Sequence, residues 1–168
     1  MLKKKGLINP MHIGTSSKTL DISIEKDTKL IAQKLSKFLN LGDYVYFQGE
    51  VGVGKTTFIR YLINFLQDKY SQEISEIPSP TFNIVHEYKI KDFKILHYDL
   101  YRVKNTNELD NIGIFENNEN SLVLVEWPEL IKKKEINHIF LQFKYEKNLK
   151  GRSITIITHK NRDLTNVF

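Results

Sequence analysis

The sequence predicts an α/β fold on three observations. First, a short apolar, β-rich run at 44–47 leads into Gly49, Glu50, Val51, Gly52, Val53, Gly54, Lys55, Thr56 and Thr57, and an amphipathic pattern follows. That stretch, G-E-V-G-V-G-K-T-T, satisfies the phosphate-loop pattern G-x-x-x-x-G-K-[ST], which needs two Gly, a Lys and a hydroxyl residue at fixed offsets. From average residue usage a chain this long should match by accident about once in a hundred times, and a strand before with a helix after lowers that further. Second, two pairs of strand-like stretches carry hairpin spacing. Third, an apolar run at 122–125 has the length of a buried strand and ends on an acid.

Residues 1–17 show no periodicity and are expected to form a flexible N-terminal extension, with Met11 an alternative start; 18–168 are expected to form a single phosphate-loop domain. Residues 23–40 place Ile31, Leu35, Phe38 and Leu39 at helical spacing, with Asp27 as the cap. A turn at 41–43 precedes the strand at 44–47. The loop helix runs from Lys55 to about Tyr70, with Phe58, Leu62, Phe65 and Leu66 on its apolar side.

Residues 71–80 are polar and hold two prolines, so they read as a loop, which delivers S-P-T-F at 79–82. The stretches 83–90 and 94–99 form a hairpin around 91–93. N-T-N-E at 105–108 resembles a capping box opening a short helix around 109–115, its end weakened by Gly113. The strand at 122–125 ends at Glu126-Trp127-Pro128. From Ile139 onward Ile139, Leu141, Phe143 and Tyr145 alternate with Phe140, Gln142 and Lys144, and 153–158 alternate again, giving a C-terminal antiparallel hairpin.

At 168 residues the chain can bury roughly 70% of its unfolded surface, so its core needs no staple. It has no cysteine, which excludes disulfides, thiolate metal sites and Cys nucleophiles and suits a reducing cytoplasm. No apolar run approaches the roughly 20 residues of a membrane span, and the lysines at 3–5 are not followed by the apolar core of a signal peptide. A cytoplasmic protein is expected, with neither membrane nor DNA as a partner. The net charge of +5 permits an RNA or phosphate partner without requiring one, and the lysine clusters at 3–5 and 132–134 read as solvated surface. Of 25 basic residues only Arg60, Arg102, Arg152 and Arg162 are Arg, so each invites the question of whether its planar fork is needed.

A phosphate loop works because its glycines let the backbone close into a nest of N–H groups at a helix N-terminus, whose dipole favours anions. Gly49, Gly52 and Gly54 serve that geometry, Lys55 reaches the β and γ phosphates, and the Thr56 hydroxyl ligates Mg²⁺. Thr57 reads as helix surface, a second ligand being the alternative. A neighbouring strand-end carboxylate must also hold the metal or its waters. Glu126 and Asp99 are the candidates, and for each the alternative is an exposed strand-end carboxylate or a helix cap. Thr81 sits where nucleotide switches place a γ-phosphate sensor, with turn structure around Pro80 as the alternative. The catalytic set is therefore Lys55, Thr81, Asp99 and Glu126. Mg²⁺ would be held by Thr56 and, directly or through water, by Glu126 and Asp99, and one of the two carboxylates would orient the attacking water.

The histidines at 12, 86, 97, 138 and 159 lack metal-ligand spacing and read as structural or surface residues. With no Cys and no G-x-S-x-G, covalent catalysis has no support. The N-K-x-D of guanine-specific GTPases is absent, since K-N-R-D at 160–163 has the wrong order.

Taken together, G-E-V-G-V-G-K-T-T, S-P-T-F, H-Y-D-L-Y-R at 97–102 and V-E-W-P-E at 125–129 resemble the TsaE (YjeE) family over roughly residues 20–158. The phosphate loop alone is generic; the other three blocks in this order are specific. The resemblance implies a P-loop NTPase-like, three-layer domain with a mixed sheet, in agreement with the two hairpins. It implies an ATPase needed for the threonylcarbamoyl modification of tRNAs reading A-starting codons. In that family the protein associates with TsaD and TsaB, and hydrolysis of ATP resets that complex for turnover, tRNA being reached indirectly through it. The resemblance places Thr56 and Glu126 at Mg²⁺ positions and Asp99 at a second acid needed for activity. It sets Glu25 and Thr28 near the adenine and Arg152, after Gly151, near the nucleotide. Arg102 is expected to brace the Asp99 loop by an ion pair or to meet the partner.

The alternative from another class is a P-loop small-molecule or nucleoside kinase. Such enzymes carry a lid with several arginines, and four in the whole chain leave little material for one. A nucleotide-gated binding module, with hydrolysis as its timer, overlaps the preferred reading.

Overall fold

The computed structural model describes residues 16–116, 118–132, 138–146, 149–158, 162 and 167–168. The lysines at 3–5 and 133–134, His12, His159, the first fifteen residues of the expected extension and the 160–163 sequence apart from Arg162 lie outside the described residues. In chain order the elements are β1 (Ser16–Asp21), α1 (Glu25–Phe38), β2 (Tyr44–Gln48), α2 (Lys55–Lys69), β3 (Val85–Ile90), β4 (Phe93–Asp99), α3 (Thr106–Ile112), β5 (Ser121–Glu126), a 3₁₀ turn (Pro128–Leu130), β6 (His138–Tyr145) and β7 (Arg152–Thr158).

The seven strands form one sheet in the order β1-β7-β6-β2-β5-β4-β3. The inner four, β6, β2, β5 and β4, run parallel, while β3, β7 and β1 pair antiparallel with their neighbours. This is the mixed α/β sheet the sequence predicts. β5, S-L-V-L-V-E, is buried along its whole length, as a parallel strand covered on both faces must be.

One face carries α1 and α2, whose Ile31, Leu35, Phe58 and Leu62 pack on Val45, Phe47, Leu124 and Leu141. The other is covered by α3 and its loops through Leu109 and Ile114, against Tyr44, Tyr46, Val123 and Val125. Three layers result. The C-terminal hairpin forms as expected, with Ile139 opposite Thr158 and Tyr145 opposite Arg152.

Several local readings need correction. Asp27 does not cap α1: the N-cap is Ile24, with no side-chain cap bond, and Asp27 lies inside the first turn beside Glu25, where a carboxylate still suits the helix dipole. On α2 the buried stripe is Phe58, Ile59, Leu62, Ile63 and Leu66, and Phe65 stands half-buried beside it. α3 starts three residues before the expected 109 because Asn105 accepts from the Glu108 amide at 3.1 Å, and Gly113, at φ 66°, ends it. Glu108 accepts the amide of Lys104 at 3.1 Å, one residue further back than a capping box requires. Strand β1, unforeseen, begins at Ser16, inside the expected extension, and pairs along β7.

Candidate functional site

The carboxyl ends of the parallel strands β2, β5 and β4 meet on one edge of the sheet, where α/β folds place ligands. The phosphate loop leaves β2 there. Gly49, at φ 151°, passes so close to β6 that a Cβ would lie 2.8 Å from the Phe143 carbonyl oxygen. Gly54, at φ 113°, turns the chain into α2, and Val53 is buried beneath the loop.

Lys55, the first residue of α2, is 4% exposed and folds back over the loop. Its Nζ donates to the carbonyls of Gly49 at 2.8 Å and Glu50 at 2.9 Å, and sits 3.8 Å from the centre of the Trp127 ring. Among the described residues no carboxylate lies within ion-pair distance of it. Burial pushes its pKa below the ordinary lysine value, and the more distant negative charges of Glu126, Glu129 and Asp99 pull the other way. A buried ammonium held by carbonyl dipoles and an indole face is poised for an anion.

The acids stand beside it because of strand register. Asp99 is paired with Glu126, and Glu126 with Phe47, so both carboxylates flank the end of β2. They are 3% and 2% exposed, which removes the alternative of solvent-facing strand ends. The Thr56 hydroxyl donates to Glu126, 2.9 Å from one oxygen and 3.0 Å from the other. His97, fully buried, places Nε2 3.0 Å from Glu126 Oε1.

Asp99 Oδ2 accepts the hydroxyls of Ser79 and Thr81, each at 2.6 Å, and its Oδ1 accepts the Tyr101 amide at 3.0 Å. The turn carrying both hydroxyls is closed by Ile84, whose amide reaches the Pro80 carbonyl at 2.6 Å from a left-handed φ of 68°. A β-branched residue there is strained. Thr81 thus faces Asp99 from within the turn.

Two adjoining clefts divide the sequence-predicted residues. The larger, about 370 Å³, is lined by Val51, Gly52, Gly54, Lys55, Thr56, Thr57, Thr81, Asp99 and Glu126 together with Ser79, Tyr101 and Trp127. The smaller, about 200 Å³, brings Glu25, Thr28, Val53 and Arg152 together with Ile22 and Ser23, and shares Gly54 and Thr57 with the first. Gly49 and Glu50 line neither cleft; their carbonyls hold Lys55. Thr57 therefore faces both spaces and is not plain helix surface. Arg102 makes no ion pair with Asp99; its guanidinium lies 4.1 Å over the exposed ring of Phe82.

The sequence reading missed Trp127, Tyr101, Ser79 and His97. For His97 a signal existed: it stands two residues before Asp99 on one strand, and period-two alternation puts both on the same face.

The donors present suit a hard cation: one hydroxyl and two carboxylates match Mg²⁺, which takes few protein ligands and completes its shell with phosphates and water. Among the described residues no three His, Cys, Asp or Glu form an all-protein cage, and such a cation needs none. The glycine-shaped loop, the helix start and the buried ammonium suit phosphates.

The family model described as "Threonylcarbamoyl adenosine biosynthesis protein TsaE" matches residues 22–154. The tRNA threonylcarbamoyladenosine biosynthesis protein TsaE of Rickettsia conorii is 40% identical over 111 residues, which cover 66% of this chain and 61% of that one. The protein of the same name from Aquifex aeolicus is 33% identical over 119 residues, 71% of this chain and 83% of its own. The match thus spans about three fifths of the Rickettsia conorii relative's length. The crystal structure of Bacillus subtilis YdiB superposes with a TM-score of 0.66 at 24% identity, covering 90% of each chain, a likeness of fold.

Proposed function

Because this chain belongs to the TsaE family of threonylcarbamoyl adenosine biosynthesis proteins, we propose that it is a Mg²⁺-dependent ATPase serving the threonylcarbamoyladenosine modification of tRNAs reading A-starting codons. It works on a TsaD–TsaB complex, which hydrolysis of ATP resets, and meets tRNA through that complex. The observation that carries the reading is the buried Lys55 ammonium, which has carbonyl and indole partners but no carboxylate within ion-pair distance among the described residues, at the head of a cleft holding Thr56, Asp99 and Glu126.

The loop amides and Lys55 bind the phosphates, Lys55 exchanging its two carbonyls for phosphate oxygens. Glu25, Thr28 and Arg152 border the smaller cleft, where the nucleoside end lies, and Thr57 spans both spaces. Thr56, Glu126 and Asp99 would hold Mg²⁺, which neutralises charge developing between the β and γ phosphates. Thr56 already bonds Glu126, so that carboxylate serves the metal side. Asp99, with Thr81 and Ser79 at its tip, serves the side where water must be oriented.

The kinase alternative loses support at the arginines. Arg60 bonds the Ile77 carbonyl, Arg102 stacks on Phe82 and Arg162 pairs with Asp43. Arg152 borders only the smaller cleft, so none lines the larger one.

The test is phosphate release from ATP by the wild type, Lys55→Ala and Glu126→Ala, each with and without TsaD–TsaB and tRNA. The wild type should hydrolyse ATP fastest in the full assembly. Lys55→Ala should lose turnover, since each charge-assisted contact is worth roughly 1.5–3 kcal/mol. Wild-type hydrolysis by Lys55→Ala, or phosphate appearing on an added acceptor, would overturn the reading.

A further inference from the structure

We propose that His97 is the positioning residue for Glu126, fixing that carboxylate in the orientation in which Thr56 and a divalent cation meet it; this rests on the Mg²⁺–nucleotide reading above. His97 lies on β4 in register with Leu124, two pairs before the Asp99–Glu126 pair. It shares the face covered by α1 and α2 with Ile95 and Leu124, in surroundings where an aliphatic side chain would pack without penalty. Instead there is an imidazole with 0% exposure, whose Nδ1 has no hydrogen-bond partner.

A buried unmet polar atom costs free energy, and departures from local packing rules concentrate where function requires them. The other ring nitrogen shows what the departure does. Nε2 lies 3.0 Å from Glu126 Oε1. The proton therefore sits on Nε2, because the opposite tautomer would bury an unmet N–H and set two lone pairs against each other.

Glu126 needs this second contact. The Thr56 hydroxyl straddles its two oxygens at 2.9 and 3.0 Å, which fixes where the carboxylate is but not its rotation about the broad terminal torsion. His97 takes Oε1 from the sheet side and sets that rotation, leaving the cleft side of the carboxylate for the cation. When Thr56 turns from Glu126 to a metal ion, His97 is the contact that stays. Partners of this kind govern metal affinity without touching the ion.

The experiment is a calorimetric titration of Mg²⁺ into the ADP complex, paired with ADP affinity in excess EDTA, for the wild type, His97→Asn and His97→Gln. The Asn amide is too short to reach Oε1, whereas the Gln amide reaches as far as Nε2. His97→Asn should weaken Mg²⁺ binding roughly 10- to 100-fold while ADP affinity in EDTA holds within about twofold, and His97→Gln should recover most of the loss. His97→Leu, close to histidine in volume and without a donor, gives the same reading should the Asn chain fail to fold. Unchanged Mg²⁺ affinity in His97→Asn or His97→Leu would overturn the positioning role, as would an equal loss of ADP affinity in EDTA. A wild type that binds ADP but is indifferent to Mg²⁺ would instead overturn the metal reading on which it rests.

Discussion

Burial lowers the pKa of Lys55, and the carboxylates of Glu126, Glu129 and Asp99 only partly oppose it. The folded chain therefore loses this proton at a lower pH than the unfolded chain, whose lysine keeps the ordinary value of 10.5. Between the two values the unfolded state binds more protons, so this group's contribution to stability rises with pH there; at neutral pH its charge is a net cost of folding. Phosphate binding has the opposite sign, since it needs the ammonium. Nucleotide affinity should fall as pH rises through the lowered folded pKa, while Lys55→Arg, charged throughout, should lack that alkaline limb. Equal profiles for the two proteins would show that Lys55 does not meet the phosphates. Lys55, Thr56, Asp99 and Glu126 were all legible in the sequence, because motif offsets and strand ends are local. Trp127 was not, because its place on Lys55 depends on a left-handed backbone at φ 60° that no local pattern announces.

Within the elements, the phosphate loop is shaped by what lies behind it. A Cβ at Gly49 would meet the Phe143 carbonyl oxygen at 2.8 Å and the Phe143 Cβ at 2.9 Å, whereas one at Gly54 would meet nothing within 4 Å. Both positions carry backbone strain for an L residue, worth about 1–3 kcal/mol, but only Gly49 adds a collision with a strand that cannot yield. Gly49→Ala should destabilise the chain by more than about 3 kcal/mol and Gly54→Ala by about 1–3 kcal/mol in denaturant unfolding. Equal losses would mean that β6 gives way. Helices with strong periodicity and the alternating C-terminal hairpin were readable, whereas α3 was placed three residues late although its Asn105 cap was in view. β1 was not: S-S-K-T-L-D has no apolar alternation, and it is a strand because β7 offers it a free edge.

For the molecule as a whole, the clefts draw on residues from Ile22 to Arg152, contributed by the start of α1, the phosphate loop, the 79–81 turn, the ends of β4 and β5 and the start of β7. Sequence reading supplied most of these residues but not the strand order β1-β7-β6-β2-β5-β4-β3 that gathers them, because pairing between distant strands is decided by packing. A ligand of such a site binds only the folded chain. ATP with Mg²⁺ at a hundred times its Kd should add about 2.7 kcal/mol of stability, which for a domain of this size raises Tm by roughly 5–11 °C. Lys55→Ala should show little of that rise in a thermal melt, and a full rise would place the nucleotide elsewhere. The indole that rests on Lys55 and touches Tyr101 belongs to the one tryptophan in the chain. All indole emission from the native protein therefore comes from the wall of the larger cleft, so the unlabelled molecule carries its own optical reporter of what Lys55 is bound to.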